Sequence, residues 1–128
     1  MQPIRKINNE LTIAPQLTLE QLNQIAQDGF KSVLNLRSPD EKGFLSSEQQ
    51  QAESLGLFYV NIPVNLEAMS DDVITEVLKQ INQLPKPILV HCDSAIRAAA
   101  LVLIYIDTQQ GATLEQACNK AKQLGLFE

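Results

Sequence analysis

Short β-branched apolar runs alternate along this chain with amphipathic segments that carry their own start and stop signals, and few architectures accommodate that pattern. Leu11 to Ala14 reads as the first short strand, closed by Pro15. Thr18 and Gln21 form a capping box for a helix whose apolar stripe is Leu19, Leu22, Ile25 and Ala26 and whose stop is Gly29. Ser32 to Leu36 reads as a buried strand running into the polar loop Arg37 to Glu41. A second capping box at Ser47 and Gln50 predicts a helix to Leu55 stopped by Gly56, and Leu57 to Ile62 reads as a strand ending at Pro63. Ser70 caps a further helix, with Asp71 and Asp72 where the helix dipole favours them and Val73, Ile74, Val77, Leu78 and Ile81 on the apolar face. Pro85 and Pro87 end it. Ile88 to Val90 is the most hydrophobic short strand, followed by the segment His91 to Arg97, a buried helix over Ala98 to Ile106, and a last helix from Thr113 to Leu124. Strands separated by helices imply right-handed crossovers, so the expected fold class is α/β: a mostly parallel central sheet with helices on both faces. A chain of 128 residues is expected to form a single domain, 1–128, around one core.

In such sheets ligands bind beyond the carboxyl ends of the strands, which is where the segment after Val90 lies. A cysteine between a strand end and a helix start, as Cys92 is, meets the partial positive charge of the helix and inward-pointing backbone N–H groups, and both lower a thiol pKa. The same geometry holds an oxyanion. Arg97, five positions after Cys92, can fork onto two of its oxygens, so one loop supplies nucleophile, cradle and clamp. Overall charge narrows the partners further: 10 basic against 15 acidic residues, net −5, opposes binding to nucleic acid or an anionic membrane. No apolar run approaches the roughly 18 residues needed to span a bilayer. The start, Met1 to Lys6, is followed by polar residues rather than an apolar stretch, so no secretory signal is visible and the cytoplasm is the default location. Two cysteines and one histidine are too few for a disulfide scaffold or an all-Cys metal site, and no metal is expected.

His91, Cys92, four intervening residues and then Arg97 resemble the signature loop of the protein tyrosine phosphatase superfamily, which normally has five intervening residues. The shorter spacing is similar to one branch, the bacterial phosphatase-like domains related to and sometimes fused with β-lactamase-like hydrolases, whose loop typically reads HCRSGTRS. Other landmarks agree in order: Gly29 to Arg37 with Pro39, Asp40 and Glu41, then Leu55 to Leu57, Tyr59 to Val64, and Pro87 to Cys92. The resemblance covers nearly the whole chain. It implies a phosphatase fold and a phosphatase that forms a phosphocysteine on Cys92, acting on a phosphorylated protein or a small phosphoester. It also implies a cradle of the backbone amides of Asp93, Ser94, Ala95, Ile96, Arg97 and Ala98 with the Arg97 side chain, and no metal or organic cofactor. The general acid is expected at Asp40 or Glu67. Within the loop this chain departs from the family pattern: Ala95 stands where Gly is usual, Ala98 where a hydroxyl is usual, Ile96 replaces a polar residue, and Asp93 stands where Arg is common. A carboxylate at position 93, pointing away from the cradle, is expected to repel a bound dianion through space.

Competing readings attach to the same residues. A rhodanese-like sulfurtransferase also uses a cysteine at a strand end, with a six-residue loop, and Cys92 to Arg97 is six residues; the downstream segment expected of that family is absent. The loop departures motivate a third reading, a noncatalytic oxyanion-binding or interaction module. His91 is expected to be structural, because side chains of neighbouring residues at a strand end point to opposite faces. Arg37 is either an ion-pair partner of Asp40 or Glu41 or a residue that shapes the site. Cys118 falls with Leu114, Ala121 and Leu124 on the apolar face of the last helix and is expected to be core.

Overall fold

A computed structural model describes residues 4–125 apart from 66 and 68; the expectations that involve Met1 to Pro3 and Leu66 lie outside the described residues. In chain order the elements are β1 (Arg5–Lys6), β2 (Leu11–Ala14), α1 (Leu19–Gln27), β3 (Ser32–Asn35), α2 (Glu48–Ser54), β4 (Phe58–Asn61), α3 (Asp71–Gln83), β5 (Ile88–His91), α4 (Ile96–Gln109) and α5 (Leu114–Gln123). They build a five-stranded sheet in the order β1-β2-β5-β3-β4. The β2–β5, β5–β3 and β3–β4 pairs are parallel, and only β1 joins antiparallel. The fold is therefore the α/β class that the alternation implies.

β5 sits in the middle, flanked by β2 and β3, although β2 and β3 are consecutive parallel strands in the chain. This jump over β5 makes the strand order reverse beside it, and the carboxyl end of β5 becomes the place where flanking loops diverge. Register brings Ala14, His91 and Asn35 level at that end. Alternation along β5 divides its side chains between two cores: Ile88 and Val90 pack with α3, α4 and α5 residues such as Ile81, Leu101 and Ala117, while Leu89 packs with Leu22, Ile25 and Ala52 of α1 and α2. With every residue of β5 buried, each large apolar side chain contributes about 1.5–3 kcal/mol, which fixes the register of the strand that carries the site. By the same alternation His91 faces α2, and Cys92 joins the core under α4.

Helix starts follow their caps where the cap residue is extended. Thr18 and Gln21 exchange both capping-box bonds, and Ser70 Oγ accepts from the Val73 N–H. The box expected at Ser47 does not form: Ser47 is itself helical, at φ −89°, because a preceding turn (Glu48 N–H to the Leu45 carbonyl) already winds the backbone. Other expectations also shift. Leu19 and Leu124 are 38% and 58% exposed and so stand outside the apolar faces assigned to them. α4 begins at Ile96 rather than Ala98. β1 escapes sequence reading because it consists of two exposed basic residues with no apolar pattern. No helix among the described residues is long and apolar enough to cross a membrane.

Candidate active site

The last residue of β5, His91, is followed by Cys92 to Ala95, and α4 starts at Ile96, so the loop joins the carboxyl end of the central strand to a helix N-terminus. The N–H groups of Ile96, Arg97 and Ala98 are first-turn groups with no partner inside the helix. Ala95 turns the chain with φ +74° and ψ −6°. The position thus needs the left-handed conformation that glycine adopts freely and a Cβ disfavours, by about 1–2 kcal/mol. Ala95→Gly is expected to raise stability by about 1 kcal/mol, read as a higher urea midpoint at unchanged slope; an unchanged midpoint shows that the loop carries no such strain.

Arg97, in the first turn of α4, reaches back over the loop. Its Nη1 donates to Glu41 Oε2 at 2.7 Å and the Val64 carbonyl at 3.1 Å, with the Leu36 carbonyl at 3.4 Å. Its Nη2 donates to Glu41 Oε1 at 2.9 Å and Asp93 Oδ1 at 2.9 Å. Hydrogen bonds from Arg97 pull the Glu41 carboxyl from an ordinary 4.5 to about 2, against the opposing effect of burial. The Glu41 bonds in turn push Arg97 up. Arg37 is buried and steadies the same carboxylate: its Nε donates to Glu41 Oε1 at 3.0 Å, its Nη1 to Gln16 Oε1 at 2.8 Å and its Nη2 to the Lys42 carbonyl at 2.6 Å. Arg37 is therefore both an ion-pair partner of Glu41 and a brace for the loop beside Arg97.

Asp93 does not point away from the loop as expected. Its Oδ1 accepts from the Ser94 N–H at 2.7 Å and from Arg97 Nη2, because a short side chain one residue before a loop amide folds back onto it. Burial pushes the Asp93 carboxyl up, but the hydrogen bond and charge of Arg97 outweigh it and the net direction is down. The Ser94 amide, assigned to the cradle from sequence, is engaged in this conformation.

On the opposite face of the sheet lies a second polar cluster. Glu48, at the start of α2 and fully buried, accepts from His91 Nε2 at 2.6 Å, Gln16 Nε2 at 2.7 Å, Tyr59 OH at 3.0 Å and Asn35 Nδ2 at 3.3 Å. Burial raises the Glu48 carboxyl, and the hydrogen bonds and charge of His91, with bonds from Gln16 and Tyr59, bring the net shift down. His91 Nδ1 lies 3.2 Å from the Cys92 carbonyl oxygen, so the cluster fixes the backbone of the residue that carries the thiol. Gln16 bonds both Glu48 and Arg37 and ties this buried cluster to the Arg37–Glu41–Arg97 chain on the loop side.

A cleft of about 840 Å³ opens above the loop, walled by Asp93, Ser94, Ile96 and Arg97 and by Asp40 and Glu67. Both general-acid candidates thus face the same space; Asp40 also accepts from Ser38 Oγ. Cys118, on α5, is partly buried against the core, and burial pushes its thiol up.

The profile of the family described as "Beta-lactamase hydrolase-like protein, phosphatase-like domain" matches residues 3–112, which include the loop and all of its supports. The chain belongs to this phosphatase-like family. A beta-lactamase hydrolase-like protein of Agrobacterium fabrum is 28% identical over 103 residues, which are 77% of this chain and 24% of the relative. The chain thus spans about a quarter of the length of the curated relatives it matches. A candidate phosphatase of Shewanella putrefaciens superposes with a TM-score of 0.79 at 22% identity, over 92% of this chain and 76% of the other. TpbA of P. aeruginosa, solved in complex with phosphotyrosine, gives 0.69 at 16% identity, over 98% of this chain and 74% of the other. At these identities the solved structures establish a shared fold. In this family member the site residues that sequence reading misses are Gln16, Asn35, Glu48 and Tyr59, and it favours Asp40 over the Glu41 that holds Arg97. One signal is available: Asn35 sits between Leu34 and Leu36 in a buried strand, and a buried amide there requires polar partners.

Proposed function

We propose that this chain is a cysteine-dependent phosphatase-like hydrolase, its site carried by one domain, that acts on a phosphorylated protein or a small phosphomonoester. The observation that carries the reading is Cys92 directly after the central strand with Arg97, in the first turn of α4, reaching back to Asp93 in the same loop, in a member of a phosphatase-like family. The Cys92 thiolate attacks phosphorus, the bond to the leaving oxygen breaks, and Asp40 or Glu67 gives that oxygen its proton. Water then attacks the phosphocysteine, the sulfur–phosphorus bond breaks, and the thiolate returns as inorganic phosphate leaves. Backbone amides from Asp93 to Ala98 and the Arg97 guanidinium hold the equatorial oxygens. The phosphotyrosine bound by TpbA supports an aryl phosphate as the first substrate to assay.

Arg97→Lys tests the assignment. An ammonium cannot hold two oxygens in one plane, so turnover of an aryl phosphate is expected to fall about 10²-fold with a smaller change in KM. A thiosulfate-to-cyanide transfer assay on the same samples separates the enzyme classes: activity there without phosphate release supports the sulfurtransferase reading instead. One observation favours the noncatalytic reading, since Cys92 has no exposed surface and the Arg97 Nη groups all face protein oxygens. Activity in neither assay decides for it.

A further inference from the structure

Cys92 is 0% exposed and takes no part in the wall of the cleft above it, while Asp93, Ser94 and Arg97 do. Among the described residues, each of the four Nη hydrogens of Arg97 has a protein oxygen to point at: Glu41 and backbone carbonyls on Nη1, Glu41 and Asp93 on Nη2. Of these acceptors, Asp93 Oδ1 stands apart. It accepts at once from a loop amide and from the guanidinium, the pair of donors that this loop offers to an oxygen of a bound oxyanion.

The other carboxylate on Arg97 is fastened. Glu41 also accepts from Arg37 Nε at 3.0 Å and, at 2.8 Å, from the Ser38 N–H. The Asp93 side chain is 54% exposed, against 26% for Glu41, and its remaining tie is the bond to its neighbour's amide. Its backbone is anchored independently, because the Asp93 carbonyl accepts from the Gln16 N–H at 3.2 Å. The side chain can therefore rotate into solvent without moving the loop. With both carboxylates in place, the charges of Arg37 and Arg97 are matched by those of Glu41 and Asp93, so among these four groups an arriving oxyanion meets no net positive charge until Asp93 leaves.

Resting on the phosphatase reading of this site, we propose that the Asp93 carboxylate is a built-in competitor that occupies an oxygen position of the cradle. A substrate gains Arg97 and the Ser94 amide, and reaches Cys92, only by displacing it. The device sets selectivity. A free inorganic anion must exchange one carboxylate contact for its own with little net gain, whereas a phosphorylated ligand with further contacts along the cleft brings binding energy of its own to the exchange.

Calorimetric titration of tungstate into wild type, Asp93→Ala and Asp93→Asn, at low and at high ionic strength, tests the proposal. Asp93→Ala removes the occupant and is expected to bind at least about tenfold tighter. Asp93→Asn leaves a neutral amide oxygen in the same place and should fall between. Because contact is direct, the gain persists at high salt; a charge acting from a distance would be screened. Mass-mapped alkylation of Cys92 should also quicken in Asp93→Ala. Unchanged or weaker binding in both variants, with unfolding temperatures like wild type, overturns the proposal, and so does a gain that disappears at high salt. Should Asp93→Ala misfold, the Asp93→Asn titration decides alone. Tighter tungstate binding without turnover of an aryl phosphate by any of the three proteins removes the phosphatase reading and leaves Asp93 as the occupant.

Discussion

Cys92→Ser is expected to abolish turnover of an aryl phosphate, by at least about 10⁴-fold, while the folded protein keeps its affinity for tungstate. The substitution exchanges sulfur for oxygen with little change in size, so the cradle of amides and the Arg97 guanidinium remain. What disappears, on the proposed reaction, is the nucleophile. A serine hydroxyl is a weak nucleophile unless a base takes its proton, and the only histidine of the chain, His91, is turned to the opposite face of the sheet, where its Nε2 lies 2.6 Å from Glu48. Nothing at the loop substitutes for the thiolate. Steady-state kinetics beside a tungstate titration separates the two effects, and a serine variant with turnover near wild type removes Cys92 from the reaction.

Glu48→Ala is expected to destabilise the fold by about 3–5 kcal/mol, although Glu48 lies on the far side of the sheet from the cleft. The truncation leaves His91, Tyr59, Asn35 and Gln16 donors facing a hole where no solvent reaches, since Glu48 and His91 are both 0% exposed. Removing a buried carboxylate that accepts several hydrogen bonds costs more than those bonds are worth, because the surviving donors lose hydration and gain nothing. Consequences extend to the loop through the His91 contact with the Cys92 carbonyl and through Gln16, which loses one end of its link between Glu48 and Arg37. Urea unfolding of Glu48→Ala, His91→Ala and the double variant measures the coupling. A double variant scarcely worse than either single one is the expected result. A single-variant loss below about 1 kcal/mol contradicts the account of the cluster.

The contrast between these residues explains what was legible in the sequence. His91, Cys92 and Arg97 lie within one short segment, between an apolar strand and an Ala-rich helix, so local pattern alone places them at a strand end and a helix start. The four parallel strands are legible for the same reason, because each crossover is a local alternation of strand and helix, whereas β1 is not. Glu48 and Glu41 lie 43 and 56 residues from the partners that give them meaning, His91 and Arg97. Only the order β2-β5-β3, which inserts a late strand between two early ones, brings those partners together. Sequence places Glu48 in an ordinary first helical turn with a capping serine before it, and its burial follows from packing rather than propensity. The expected direction of Asp93 failed for another reason. Charge repulsion alone turns Asp93 away from the cradle, but the Ser94 amide and the Arg97 guanidinium both lie within reach of a side chain so short and draw it in.

Acid-quenched mass spectrometry of the wild-type protein during turnover of an aryl phosphate, with the peptide that carries Cys92 mapped, tests the central claim most directly. The account predicts one added phosphoryl group on that peptide, absent from the peptide that carries Cys118 and absent in Cys92→Ser. Phosphate release with the Cys92 peptide unmodified at every quench time, or an added sulfur atom in place of the phosphoryl group, contradicts it.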